Sequence, residues 1–168
     1  MLGGVRDAIQ SLMRELETPT ISYGKYSLLV FVVATLPAWV VAELLNAAAA
    51  SFGYSFAVED KTTRSIDSPP WFIVDVVSPM AETLLLAGLV ALSPMKRARW
   101  IVGAICSVIS GVARGFSNGA LWVVRPAWLV FVYAMAYQAW RDVSFFRAFG
   151  AAGIPHVVNN SFAALLFD

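Results

Sequence analysis

Residues 26–50 read YSLLVFVVATLPAWVVAELLNAAAA and are apolar almost throughout. A helix of this length, at 1.5 Å per residue, crosses a hydrocarbon core of about 30 Å. Inside hydrocarbon every backbone amide and carbonyl must be paired within the protein, so spans are helices or strands of a closed barrel. Because the apolar run does not alternate with polar residues, it predicts a membrane-spanning helix, which Pro37 is expected to kink.

The composition agrees with a membrane solvent. The chain has 168 residues, of which 59% are hydrophobic and 14% charged, whereas a soluble globular domain has about 25% charged residues. Twelve basic and eleven acidic residues give no basic surface, so nucleic acid is excluded as a partner. One cysteine, Cys106, excludes an internal disulfide, and one histidine leaves no ligand set for zinc. We therefore expect no metal and no other cofactor, and a lipid bilayer as the first partner.

Four more apolar stretches predict four more spans. The polar segment 51–70 is expected to be the one long loop, and Gly115 to Gly119 (GFSNG) is expected to end the third span. The sequence thus predicts an all-α fold, a polytopic transmembrane helical bundle of about five spans. The four further spans are expected from Trp71 to about Ser93, from Trp100 to about Arg114, from about Leu121 or from Pro126 to Trp140, and from about Ser144 to Phe167.

The N-terminal segment has a different pattern. Apolar residues recur at helical spacing over 5–17 with charges between them, which predicts an amphipathic helix lying in the membrane interface. Pro19 then ends it. Mixed charges and the lack of an uninterrupted apolar centre argue against a cleavable signal peptide. We expect residues 1–24 to form this interfacial segment and residues 25–168 one membrane-embedded domain. The apolar set is Val5, Ile9, Leu12, Met13 and Leu16.

Basic residues are distributed unevenly between the two sides that five spans would define. By the positive-inside rule the richer side faces the cytoplasm, which places the N-terminus inside and the C-terminus outside. The richer side carries Arg6, Arg14, Lys25, Lys96, Arg97, Arg99, Arg141 and Arg147, and the other side carries Lys61, Arg64, Arg114 and Arg125.

Several polar residues interrupt the predicted spans. Ionisable side chains inside a membrane are costly, usually face the bundle interior and mark functional sites. Glu43 and Asn46 lie near the end of the first span, where reaching to the interface explains them. The other polar residues form helical stripes, namely Asp75, Ser78 and Glu82 in the second span, Ser107, Ser110 and Arg114 in the third, and His156 with Asn160 in the fifth.

Purely structural interpretations of these stripes stay open. Glu82 and Arg114 would also suit an ion pair that locks two helices, and His156 with Asn160 would suit interhelical hydrogen bonding. The Gly-x-Ser-x-Gly pattern at 115–119 matches a nucleophile elbow only formally, because that elbow needs a strand leading into a helix. A proton-coupled carrier is disfavoured, since five spans without an internal repeat suit a transporter poorly.

Two local motifs carry a family resemblance. Pro79-Met-Ala-Glu82-Thr-Leu-Leu-Leu-Ala87-Gly88 resembles the first motif, Pro-x-x-Glu-Glu-x-x-x-Arg-Gly, of the CAAX protease and bacteriocin-processing family. Gly153-Ile-Pro-His156-Val-Val-Asn-Asn160 resembles the family's last motif, His-x-x-x-Asn. Ser110-Gly-Val-Ala-Arg114 falls where the family has Phe-x-x-x-His. The resemblance covers about residues 70–167.

The resemblance implies a metal-independent intramembrane glutamic endopeptidase, a hydrolase acting on a membrane-associated peptide or protein. Glu82 would activate the attacking water, and His156 and Asn160 would hold the developing oxyanion. Arg114 stands in place of the histidine that orients the water, while Thr83 and Ala87 replace the motif's second glutamate and its arginine. For a member of this family we expect the bacterial inner membrane.

An alternative of another class is a catalytically silent relative that kept the cavity to bind a membrane partner, as an immunity, scaffold or regulatory protein. Arg114 separates the two hypotheses. A guanidinium against Glu82 would occupy the place of the water and cannot accept a proton. If Arg114 instead points towards headgroups or serves as an extra oxyanion donor, Glu82 is left to act as the base.

Overall fold

The computed structural model describes residues 2–53, 72–92, 99–118 and 121–167, and these ranges contain helices and no strand. The all-α prediction is therefore confirmed for them. In chain order the elements are α1 (Leu2–Glu17), α2 (Tyr23–Ser51), a π-helical turn (Ile73–Val77) that runs directly into α3 (Ser78–Leu92), α4 (Arg99–Asn118), α5 (Leu121–Trp140) and α6 (Phe145–Phe167).

Among the described residues, two helices are long and apolar enough to cross a membrane, namely α2 and the segment Asp75–Leu92. Residues Trp100–Ala113 form a shorter apolar helix. Helices α5 and α6 contain Arg125, His156 and two asparagines, which lower their mean hydropathy. The outer face of α2 exposes a row of large apolar side chains that lipid would cover. This row includes Leu28, Val32, Leu36, Val40 and Leu44.

Helix α5 is the centre of the bundle. Seven consecutive residues, 132–138, are buried, so two turns of the helix are covered on every face. A helix covered all round is apolar all round, and this stretch is apolar except for its two tyrosines and Gln138. Helices α1, α2, α3, α4 and α6 all pack against α5. The central helix therefore sets where the other five lie.

Helix α1 is fastened to the bundle at its C-terminal end. Leu16 is buried, and its carbonyl accepts a hydrogen bond from the Tyr26 hydroxyl at 2.9 Å. The Glu15 carboxylate accepts hydrogen bonds from the backbone amide and the hydroxyl of Thr20 at 2.6 and 2.8 Å. These bonds hold the pKa of Glu15 below its usual range. The Trp100 indole donates to Glu17 and joins α1 to the start of α4.

The π-helical turn corrects the predicted stripe of Asp75, Ser78 and Glu82. Pro79 has no amide proton and its ring would press on the carbonyl of residue 75 in an α-helix. The wider turn avoids this clash, because the Ser78 amide bonds to the carbonyl of Ile73, five residues back. The extra residue rotates Asp75 away, so Asp75 is buried while Ser78 keeps a 3.4 Å hydrogen bond to the Glu82 carboxylate.

One predicted boundary changes, and two others agree with the prediction. Helix α4 continues through Gly115 to Asn118, so the prediction that GFSNG ends the span at about Arg114 was wrong. Helix α5 begins at Leu121 with Pro126 inside it, which decides between the two predicted starts. Helix α6 begins at Phe145, and the preceding Ser144 carbonyl accepts the Ala148 amide. The predicted loop at 51–70 and the turn at 94–99 lie almost entirely outside the described residues.

Small residues let α4 approach α5 closely. A Cβ atom on Gly111 would lie 2.9 Å from the Val123 carbonyl oxygen and 3.0 Å from the Ala127 Cβ. The Ser107 hydroxyl, one turn earlier, donates to the Ala127 carbonyl at 2.7 Å. Small residues and hydroxyls at such spacing hold helices together in membranes. Ser107 therefore serves the helix contact and not the shared polar interior that the sequence predicted.

We expect Gly111→Val to destabilise the protein by about 1–3 kcal/mol, since the branched side chain must push α4 off α5. Gly88→Val is the matched control, because no atom lies within 4 Å of a Cβ placed there. The midpoint of thermal unfolding of the detergent-solubilised variants, followed by circular dichroism, measures the difference. Equal midpoints for the two variants would contradict the close α4–α5 contact.

Candidate active site

Glu82 on α3 and His156 on α6 meet at a cleft between α3 and α4. The cleft has a volume of about 210 Å³, and α5 forms its floor. Three side chains at its rim, Leu85, Leu89 and Ile109, are 71%, 45% and 53% exposed. The cleft therefore opens on the outer surface of the bundle. The remaining lining residues are Thr83, Leu86, Cys106, Ser110, Ala113, Val130 and Tyr133.

The central contact joins a carboxylate and an imidazole. Glu82 Oε2 lies 3.7 Å from His156 Nε2, and the Glu82 side chain is 33% exposed while the His156 side chain is 8% exposed. The carboxylate thus faces the cleft and the imidazole forms part of its wall. A carboxylate next to an imidazole is a typical arrangement for moving a proton.

Thr83 fixes the opposite side of the imidazole. Its hydroxyl donates its one proton to the Pro79 carbonyl at 2.7 Å and lies 3.4 Å from His156 Nδ1. The Thr83 oxygen can then only accept from Nδ1, which assigns a proton to that nitrogen. Nε2 and the Glu82 carboxylate face each other, so a stable contact requires one proton between them. In the sequence, Thr83 stood out only as a departure from a motif. Its position four residues after Pro79 was the one sign that its hydroxyl could bond to the Pro79 carbonyl.

Tyr133 lies under the imidazole and was missed by the sequence analysis. Its ring stacks on His156 with centroids 4.7 Å apart and an interplanar angle of 27°. The side chain is 1% exposed and lines the cleft. A tyrosine within an apolar helix is usually a packing residue, so nothing in the sequence distinguished Tyr133 from its neighbours.

Gly153 allows α3 to lie close enough to α6 for this geometry. A Cβ atom at position 153 would be 3.1 Å from Met80 Sδ and 3.6 Å from Thr83 Cγ2. Both of these atoms belong to the turn of α3 that carries Glu82. A branched side chain at Gly153 would therefore separate the carboxylate from the imidazole.

Asn160 is not brought to the cleft. It is half-buried, and the described residues that line the cleft include His156 but not Asn160. Its neighbour Asn159 is buried, and its side-chain oxygen accepts a hydrogen bond from the Thr35 hydroxyl at 3.1 Å. The structure thus uses an asparagine of this turn to bind α6 to α2.

Three other residues that the sequence singled out have different outcomes. Arg114 lies on α4, but its side chain is outside the described part of the chain, so its distance from Glu82 is undefined. Ser110, one turn earlier on α4, lines the cleft. Glu43 is exposed on α2, as expected for a residue near the end of a span.

Within the described ranges, no group of three or more His, Cys, Asp and Glu side chains could hold a metal ion. No protein-family model, curated protein or solved structure matches the chain. The geometry of the cleft is therefore the basis for any statement about function.

The Thr83 contact predicts the tautomer of His156. Because the chain has one histidine, the imidazole ¹⁵N signals of the whole protein come from His156. We expect a protonated Nδ1 near neutral pH in the wild type and in Thr35→Val, the control that removes a hydroxyl elsewhere. In Thr83→Val the acceptor is lost, so Nδ1 should give up its proton in part of the population. Identical nitrogen shifts in all three proteins would show that Thr83 does not fix the ring.

Proposed function

We propose that the protein is an intramembrane endopeptidase in which Glu82 activates water to hydrolyse a peptide bond. The observation that carries this proposal is the contact between Glu82 and His156 in an apolar cleft that opens on the surface of the bundle. The motif likeness at Glu82 and His156 supports it. Five spans, with the N-terminus in the cytoplasm and the C-terminus outside the bacterial inner membrane, belong to the same proposal.

The proposed reaction uses groups that this chain holds in place. A water beside Glu82 attacks the carbonyl carbon of the substrate while Glu82 takes the proton of that water. The carbonyl oxygen becomes an oxyanion, which hydrogen-bond donors in a dry site stabilise strongly. The carbon–nitrogen bond then breaks, and the proton passes from the Glu82–His156 pair to the departing amine. Thr83 and Tyr133 hold the imidazole in position during these steps.

The apolar rim of the cleft suits a substrate that reaches the site from within the membrane. Its exposed residues Leu85, Leu89 and Ile109 are apolar, so they would contact lipid tails or apolar peptide side chains at no cost in desolvated polar groups. The carboxylate lies inside this rim. We therefore propose that the substrate is a membrane-associated peptide or protein with apolar residues beside the scissile bond.

Replacing either central residue should abolish hydrolysis. We expect Glu82→Gln and His156→Ala to lower kcat by at least 10²–10⁴-fold, whereas Glu43→Gln, which makes the same change on exposed α2, should not. Chelators should leave the wild-type rate unchanged. Cleavage of apolar fluorogenic peptides by the purified protein in detergent measures these rates. Cleavage by Glu82→Gln at the wild-type rate would refute the role of Glu82.

A second candidate function is binding of a membrane partner without catalysis. The position of Asn160 away from the cleft favours it, because the motif-derived oxyanion donor is then missing from the site. Under this alternative Glu82 and His156 are a structural pair. The Glu82→Gln variant would then unfold at a lower temperature, and the wild type would cleave no peptide that it binds.

The proposed topology has its own test. In a Cys106→Ala background, cysteines are placed at the exposed Thr18 before α2 and the exposed Ser51 at its end. A membrane-impermeant maleimide added to intact bacterial cells should label Ser51→Cys and leave Thr18→Cys unlabelled until the cells are lysed. Labelling of Thr18→Cys alone would reverse the topology, and equal labelling would place both ends on one side.

A further inference from the structure

The hydroxyl of Tyr133 is a buried donor that donates to no acceptor in the described part of the chain. The side chain is 1% exposed, and among the described residues its oxygen has no hydrogen-bond partner. More than nine-tenths of buried polar groups in proteins are paired, so an unpaired one needs an explanation. A phenylalanine here would keep the same packing without the unpaired group. The hydroxyl therefore points to a role outside the folding of the free protein.

The surroundings of this hydroxyl are those of the cleft. The Tyr133 ring stacks on His156 and forms part of the cleft lining. Among the described residues, Glu82 and Arg125 act electrostatically on the hydroxyl. Arg125 lies eight residues before Tyr133, which places the two about 80° apart around α5 and about 12 Å apart along its axis. The unpaired donor thus belongs to a residue that lines the same cleft as the proposed base.

We propose that Tyr133 is the hydrogen-bond donor for the substrate carbonyl oxygen, the role that the family resemblance assigned to Asn160. The catalytic part of this inference rests on the proposed function. The hydrogen bond from Tyr133 to the carbonyl oxygen of a bound ligand does not depend on it. A phenol donor held rigidly in a water-free site needs no rearrangement when charge develops on the carbonyl oxygen. The oxygen that receives this bond is the one that becomes the oxyanion when water adds to the carbon.

The ligand must enter between α3 and α4 to reach this donor. Water does not reach the Tyr133 oxygen in the free protein. Helix α4 packs mainly on α5 and touches α3 only slightly, so separating α3 from α4 disturbs few contacts. An extended apolar peptide wedged into this seam would place its carbonyl over Tyr133 and its side chains against Leu85, Leu89 and Ile109. The inferred ligand class is accordingly an extended apolar peptide segment.

A test compares Tyr133→Phe with Tyr137→Phe in the full chain in detergent. Tyr137 lies one turn further along α5 and is buried but does not line the cleft, so the control removes the same atom elsewhere. The probes are an apolar tetrapeptide aldehyde, for equilibrium binding, and a fluorogenic peptide with the same apolar residues, for turnover. The midpoint of thermal unfolding serves as the third readout.

We expect Tyr133→Phe to unfold at the wild-type temperature or above, because the lost hydroxyl had no partner. The variant should bind the aldehyde about tenfold more weakly, raise KM by no more than about tenfold and show a kcat lowered by about 10²–10³-fold. Tyr137→Phe should bind and cleave like the wild type. Weaker binding by Tyr133→Phe alone, without any cleavage by the wild type, would support this inference and refute the proposed hydrolysis.

Three results would overturn the inference about Tyr133. None of them decides the proposed hydrolysis, which the Glu82→Gln and His156→Ala variants test. The first is equal aldehyde binding by the wild type and Tyr133→Phe. The second is no aldehyde binding by the wild type. The third is a lower unfolding midpoint for Tyr133→Phe than for Tyr137→Phe, which would show that the hydroxyl stabilises the free protein.

Discussion

The contact between the Glu82 carboxylate and the His156 imidazole is the constraint on which the rest of the site depends. A carboxylate and an imidazole in an apolar bundle are costly unless they face each other. Here the two side chains come from α3 and α6, which pack directly against each other and both contact α5. Thr83 contacts the other ring nitrogen, Nδ1, and Tyr133 stacks on the face of the imidazole. The same arrangement that limits the cost of burial also places both side chains in the lining of the cleft.

Backbone features near prolines and glycines make this contact geometrically possible. The π-helical turn before Pro79 changes the rotation of α3, so that Glu82 faces the cleft while Asp75 is buried. Gly153 removes the side chain that would separate α3 from α6. Gly111 likewise lets α4 lie close to α5. Helix α4 therefore packs closely on α5 and only loosely on α3, and the cleft lies between α3 and α4. The position of the cleft follows from which helix pairs these residues bring close.

The sequence was sufficient to predict the helical class, because long apolar runs without alternation can be recognised within one segment, whatever that segment packs against. The pairing of Glu82 with His156 was also within reach, since both residues interrupt apolar helices and sit in family-like motifs. The face that each polar residue occupies was harder to predict. A single π-helical turn shifted Asp75, and the continued helix through Gly115 to Asn118 replaced a predicted turn. The contacts of Thr83 and Tyr133 with His156, and the position of Asn160 away from the cleft, were not predicted, because they depend on how helices pack together, which spacing along one helix cannot show.

We infer that Glu82 and His156 share one proton across their contact and act as one unit. The most direct measurement is the ¹⁵N chemical shift of His156 Nε2 near neutral pH in the wild type, in Glu82→Gln and in Glu43→Gln. We expect a proton-bearing Nε2 in the wild type and in Glu43→Gln, and an unprotonated Nε2 in Glu82→Gln, where no carboxylate stabilises the shared proton. The same Nε2 shift in all three proteins would contradict this inference.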